Sequence, residues 1–148
     1  MALFRKTPDK RHATGREGEA AAARHLARHG YKVLYRNFQP DNGGEIDLVC
    51  RHGDVLAFIE VKTRSSDKFG TPYEGLRQSQ KHKIILGALE WLRLLHNPDI
   101  LFRFDVVEVR HYANEWMCTI IENAFTLPPG YRYSPERHWS EQEEPEGR

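Results

Sequence analysis

The sequence predicts an α/β sandwich built around a central mixed β-sheet. Three observations carry that expectation. The elements run in the order helix, strand, strand, strand, helix, strand, strand, which requires a sheet with helices packed on it. Short turns of hairpin type join several of the strands and force some antiparallel pairing. The chain has 148 residues, 39% hydrophobic and 29% charged, the size and composition of one ordinary globular domain with its own core.

The elements follow from local pattern. Residues 1–13 are polar and basic without periodicity and read as a flexible arm. A first helix is expected from Thr14 or Gly15 through His29, with Gly30 in the favoured stop position. Tyr31 to Phe38 reads as a strand, and the turn formers Pro40-Asp41-Asn42-Gly43-Gly44 separate it from Glu45 to Cys50. A short turn through Gly53-Asp54 leads to Val55–Lys62, rich in β-branched and aromatic residues. Thr63 to Pro72 is polar and loop-like. A second helix with a strong apolar stripe is expected from Glu74 to Leu95, before Asn97-Pro98. Strands from Ile100 to Val109 and from Trp116 to Ile121, turning at Ala113-Asn114, complete a domain over residues 14–127. Residues 128–148 form a tail rich in Pro, Glu, Arg and Ser, expected to be largely without order.

Composition excludes some classes. No apolar run is long enough to cross a bilayer, and the first residues lack the apolar core of a secretory signal, so a cytoplasmic protein is expected. Cys50 and Cys118 sit in apolar runs away from metal-ligand spacing and read as packing residues. The net charge of +1 hides an asymmetry. Residues 1–36 carry nine Lys/Arg against three Asp/Glu, whereas residues 136–148 carry five Glu against two Arg. A basic front is compatible with a nucleic-acid partner, although solvated basic faces also occur on proteins that bind none.

The chemistry lies in two strand segments, Gly44-Glu45-Ile46-Asp47 and Ile59-Glu60-Val61-Lys62. Alternation along a strand puts Glu60 and Lys62 on one face, and Glu45 and Asp47 on one face of the preceding strand. With a two-residue loop at Gly53-Asp54, opposed residue numbers sum to 107, which sets Asp47 against Glu60. A four-residue loop would leave them diagonal, and an odd loop or a bulge would separate them. Two carboxylates in contact are costly as packing, but they suit a hard divalent cation such as Mg2+ or Mn2+. Such an ion polarises a phosphate and acidifies a bound water, and Lys62 could orient that water. The alternative is an ordinary cross-strand ion pair. In the first helix Glu19 shares the stripe of Ala23 and Leu26, while Glu17 aligns with Arg24 and Arg28 and faces water. Lys81 begins the apolar stripe of the second helix, in register with Ile85, Ala88 and Leu92.

These residues together resemble the YraN-like family of predicted endonucleases. The resemblance is carried by Gly15-Arg16-Glu17-Gly18-Glu19-Ala20, by Gly44-Glu45-Ile46-Asp47, and by Glu60-Val61-Lys62-Thr63-Arg64. Phe69-Gly70, Lys81 and Arg103-Phe104-Asp105 extend it, so that it spans about Gly15 to Ile121. That family is grouped with the PD-(D/E)xK nuclease superfamily and is similar to archaeal Holliday-junction resolvases. The resemblance implies a restriction-endonuclease-like three-layer sandwich with an αβββαβ core, and metal-dependent hydrolysis of DNA, including branched or recombination-type DNA. It makes Asp47 and Glu60 metal ligands for Mg2+ or Mn2+, Lys62 the catalytic lysine, Glu19 an accessory acid, and Lys81 a supporting cation near the scissile phosphate. The Pro of the superfamily's name is replaced by Ile46, which removes no ligand. The fold also supports binding modules that do not cleave, which is the alternative function.

Other residues are more equivocal. His25 and His29 share a helix face without a third zinc ligand and read as a surface pair. Asp105 is either structural or in contact with the site. Arg64 and Lys68, after the lysine strand, are candidates for binding substrate phosphates. Trp91 and Trp116 read as packing residues. Junction cutting takes two incisions, which makes a homodimer attractive.

Overall fold

Two hydrophobic faces on one sheet dictate the architecture, because each must be covered by a helix. The computed structural model describes residues 10–64 and 75–136. Its elements are α1 (Lys10–Arg28), β1 (Tyr31–Phe38), β2 (Ile46–His52), β3 (Val55–Arg64), α2 (Gln78–Leu94), β4 (Leu101–Tyr112) and β5 (Glu115–Phe125). The strands form one sheet in the order β1-β2-β3-β4-β5. The β3–β4 pair, joined through α2, is parallel, and the other three pairs are antiparallel.

Alternation along β3 divides the core. Ala57 and Ile59 face α1 with Leu48, Cys50, Val107 and Val109, against Ala22 and Leu26. Leu56 and Phe58 face α2 with Val49, Phe104 and Val106, against Ile85, Ala88 and Leu92. The result is the restriction-endonuclease-like α/β sandwich, with helices on both faces of a mixed sheet. Among the described residues no helix is long and apolar enough to cross a membrane. Cys50 is buried and unpaired, the pKa of its thiol pushed up to about 12 by burial and by the charge of Asp105.

Several boundaries differ from expectation for local reasons. Helix α1 begins at Lys10, ahead of Thr14, since nothing in Lys10-Arg11-His12-Ala13 breaks a helix and basic residues tolerate one well. Helix α2 begins at Gln78, later than the expected Glu74. Gly75 is left-handed with φ 87° and Arg77 is extended, and the Arg77 N–H donates to Gln80 Oε1 at 3.1 Å, which fixes the entry there. Strand β5 runs past Ile121 to Phe125 because a bulge absorbs Glu122 and Asn123.

The first part of the Pro-rich tail has no helix or strand, yet it returns to the domain. Tyr131 and Tyr133 pack against the α2 layer, and the Tyr133 hydroxyl donates to the Pro98 carbonyl. The Glu136 N–H donates to the Asn97 carbonyl at 2.8 Å, and Asn97 Nδ2 donates to Glu136 Oε1 at 3.0 Å. Aromatic side chains supply the burial that the composition of this segment conceals. Residues 1–9 of the expected arm and residues 137–148, with Trp139, lie outside the described residues, as do Lys68, Phe69 and Gly70.

Candidate active site

The β2–β3 hairpin turns on Gly53-Asp54, with pairs Leu48↔Ile59, Val49↔Phe58 and His52↔Val55. These sums of 107 are the register expected for a two-residue loop, and the same sum extended one step past the ladder would set Asp47 against Glu60. The paired ladder ends at Leu48↔Ile59, and beyond it Asp47 Oδ2 accepts the Val61 N–H at 2.7 Å. A side-chain carboxylate thus takes over a backbone donor that the ladder no longer satisfies. Asp47 and Glu60 are hydrogen bonded to each other, and Lys62 lies within electrostatic reach of both.

Burial is the main cause of the raised pKa of each acid. For Glu60 the charge of Asp47 and their mutual hydrogen bond push further upward, while Lys62 pulls down. For Asp47 the hydrogen bonds from Val61 and Glu60 hold the rise back. Burial and the like charge of the partner thus make it costly for both carboxyls to be ionised at once. Like charges brought together in a half-buried site behave this way.

The acids line a cleft with Glu45, Gln80, Lys83 and Ile84, so strands β2 and β3 form one wall and the first turns of α2 the other. Two glycines hold those walls together. A Cβ on Gly44 would meet the backbone nitrogen of Gly87 and lie 2.7 Å from its Cα. The Glu45 N–H also donates to the Lys83 carbonyl at 3.0 Å. The backbone leading into β2 and that of helix α2 are therefore in direct contact, which only glycine permits. Gly44→Ala is expected to lower stability by about 1–3 kcal/mol through overpacking, read as a drop in the thermal midpoint. An unchanged midpoint would show that α2 can back away from β2.

The remaining candidates fall in different places. Glu19 is half-buried and its pKa is raised by burial, then by the charges of Asp47 and Glu45, with Arg36 opposing. It therefore stands in the electrostatic neighbourhood of the acids. Helix α1 approaches that end of the sheet closely, since a Cβ on Gly18 would lie 2.7 Å from Thr63 Oγ1, one residue past Lys62. Glu17 is exposed, as its stripe predicts. Lys81 is not among the cleft's lining residues and holds its ammonium 5.6 Å from the centre of the Phe125 ring. Arg64 is 14% exposed and pairs with Glu108 at 3.3 Å, and Arg110 binds the same carboxylate at 2.6 Å. Asp105 is buried in a network with Arg103, Tyr31 and the Asn123 N–H, away from the cleft lining. His29 Nδ1 lies 2.7 Å from the His25 carbonyl, and their rings are 4.2 Å apart. Lys83 and Gln80 went unnoticed in the sequence, where the apolar stripe directs attention to Lys81.

A divalent cation suits this donor set. Among the described residues no group of three or more His, Cys, Asp or Glu side chains gathers into a full ligand cage. Asp47 and Glu60 offer hard oxygen atoms from two adjacent rigid strands, the partial set that Mg2+ completes with water and substrate oxygens.

The fold and site define a class, the α/β proteins of restriction-endonuclease-like architecture with an acid pair and a lysine at the end of a central hairpin. Residues 18–109 match the uncharacterised protein family UPF0102, and the chain belongs to that family, the YraN-like family of predicted endonucleases in the PD-(D/E)xK superfamily. A UPF0102 protein of Geobacter metallireducens is 40% identical over 113 residues, covering 76% of this chain and 92% of the relative. One of Dechloromonas aromatica is 42% identical over 121 residues, covering 82% and 95%. One of Anaeromyxobacter dehalogenans is 43% identical over 101 residues, covering 68% and 75%.

Proposed function

We propose that this chain is a divalent-metal-dependent endonuclease that hydrolyses phosphodiester bonds in DNA, with branched or recombination-type DNA among its candidate substrates. The observation that carries the reading is the contact between the Asp47 and Glu60 carboxyls at the open end of the hairpin, with Lys62 beside them. Such a pair is unfavourable as packing and useful as a ligand set. Asp47 and Glu60 hold Mg2+ or Mn2+, which when bound supplies Lewis acidity toward a phosphate oxygen and a more acidic water. Lys62 orients the attacking water and balances charge that develops on the phosphate. Glu19 adds negative charge from α1 and serves as an accessory acid. The choice of DNA rests on family membership and on the basic first 36 residues. Two incisions at a junction would call for a homodimer.

The test is cleavage of labelled linear, flapped and four-way-junction DNA with Mg2+, Mn2+ or chelator, comparing the natural protein with Glu60→Ala. Cutting that requires both the metal and Glu60 is expected. Binding without cutting under every condition would overturn the enzyme reading in favour of a binding module with this fold.

A further inference from the structure

The acid pair needs a cation to bring a phosphate beside it, and the structure separates the basic residues that are free for this from those that are not. Arg64 is committed to Glu108 in a site with little exposure, and Lys81 is drawn over the Phe125 ring. Lys83 is exposed, lines the cleft with Asp47 and Glu60, and has no ion pair within 4.0 Å among the described residues. Its backbone carbonyl is anchored by the Glu45 N–H at 3.0 Å, so the base of the side chain is fixed to the segment that leads into β2. Gln80, one turn earlier, lines the same cleft. Its Oε1 is occupied by the Arg77 N–H at 3.1 Å, which orients the amide.

We infer that Lys83, supported by Gln80, is the residue through which the cleft holds a phosphate of the DNA backbone. The inference rests on the nuclease reading and names its substrate-binding cation. A phosphodiester entering a cleft lined by Glu45, Asp47 and Glu60 meets repulsion, and an unpaired ammonium on the facing helix offsets it. Lys83 then acts in binding, while Lys62, on the same strand as Glu60, stays with the chemistry. Lys83 lies three residues after Gln80 on the helix face that lines the cleft, whereas the Lys81 ammonium lies over the Phe125 ring.

The experiment measures binding of a labelled four-way-junction DNA by fluorescence anisotropy in chelator, across a salt series, for the natural protein, Lys83→Ala, Lys83→Arg and Lys81→Ala. Cleavage kinetics with Mg2+ accompany it. Lys83→Ala is expected to weaken binding about tenfold and to reduce the salt slope by about one, with Lys83→Arg restoring most of both. In cleavage it raises KM more than it lowers kcat. Because the side chain is exposed, the thermal midpoint should not move. A loss from Lys81→Ala equal to or larger than that from Lys83→Ala would overturn the inference and leave the nuclease reading standing. A natural protein that neither binds nor cuts any of these DNAs would overturn both.

Discussion

Asp47→Asn and Glu60→Gln should each lower metal-dependent cutting by at least about a hundredfold while making the metal-free protein more stable, by about 1 kcal/mol. Each amide keeps the shape of the acid it replaces and removes one of two carboxyls in contact. In Glu60→Gln the side-chain amide can still donate to Asp47, so the hairpin end would keep its hydrogen bond while the repulsion is gone. A residue that selection retained for stability would show the opposite sign. The accompanying measurement is the thermal midpoint with and without Mg2+. The ion should stabilise the natural protein by mass action and do so much less in either variant. Cutting that persists at the natural rate in both variants would remove the acid pair from the mechanism. A metal-dependent midpoint that is equally large in both would place the cation elsewhere.

Lys62→Ala separates two kinds of contribution. It removes no oxygen ligand, so the Mg2+-dependent rise in midpoint should survive while cutting falls.

The site was legible in the sequence to the extent that it depends on strand alternation and on one turn. Glu60 and Lys62 share a face because side chains on a strand alternate, and the Gly53-Asp54 turn fixes the sum that opposes Asp47 to Glu60. Both features are local. The wall contributed by α2 was not legible, because its rotation against the sheet depends on the contact between Gly44 and Gly87, which lie far apart in the sequence. That contact sends Lys83 into the cleft and leaves Lys81 beside Phe125 on β5. Arg64 illustrates the same limit. Its motif position after Lys62 suggests a free substrate contact, whereas the parallel pairing of β3 with β4 brings it to Glu108. The tail misled in another way, since its polar composition gave no weight to Tyr131 and Tyr133, which pack on the core.

Asp105→Ala should cost about 3–5 kcal/mol, although Asp105 lies outside the cleft lining. Opposite Asp105 the β4–β5 register shifts, from Phe104↔Phe125 to Val106↔Ile121, and Asn123 takes a left-handed conformation with φ 52°. A bulge of this kind frees backbone donors from the ladder, and the Asp105 carboxylate takes the Asn123 N–H at 2.9 Å. Both carboxylate oxygens accept Arg103 Nε at 2.9 Å, and the Tyr31 hydroxyl donates to Oδ2 at 3.0 Å. Arg103 in turn donates to His52 Nδ1 at 2.7 Å, and the His52 ring stacks on Tyr31 at 3.9 Å. Asp105 is 1% exposed, so one truncation strands the Asn123 N–H and leaves Arg103, among the described residues, with only the exposed Glu122 carboxylate, 3.6 Å away, as its ion-pair partner. The exposed pair of Glu90 and Arg93, at 2.5 Å, is the contrasting case, and Glu90→Ala should leave the midpoint unchanged within error. Urea unfolding of the two variants measures the difference. Equal stability in both would mean that the bulge holds without its carboxylate, and that the strain of Asn123 is carried by β5 alone.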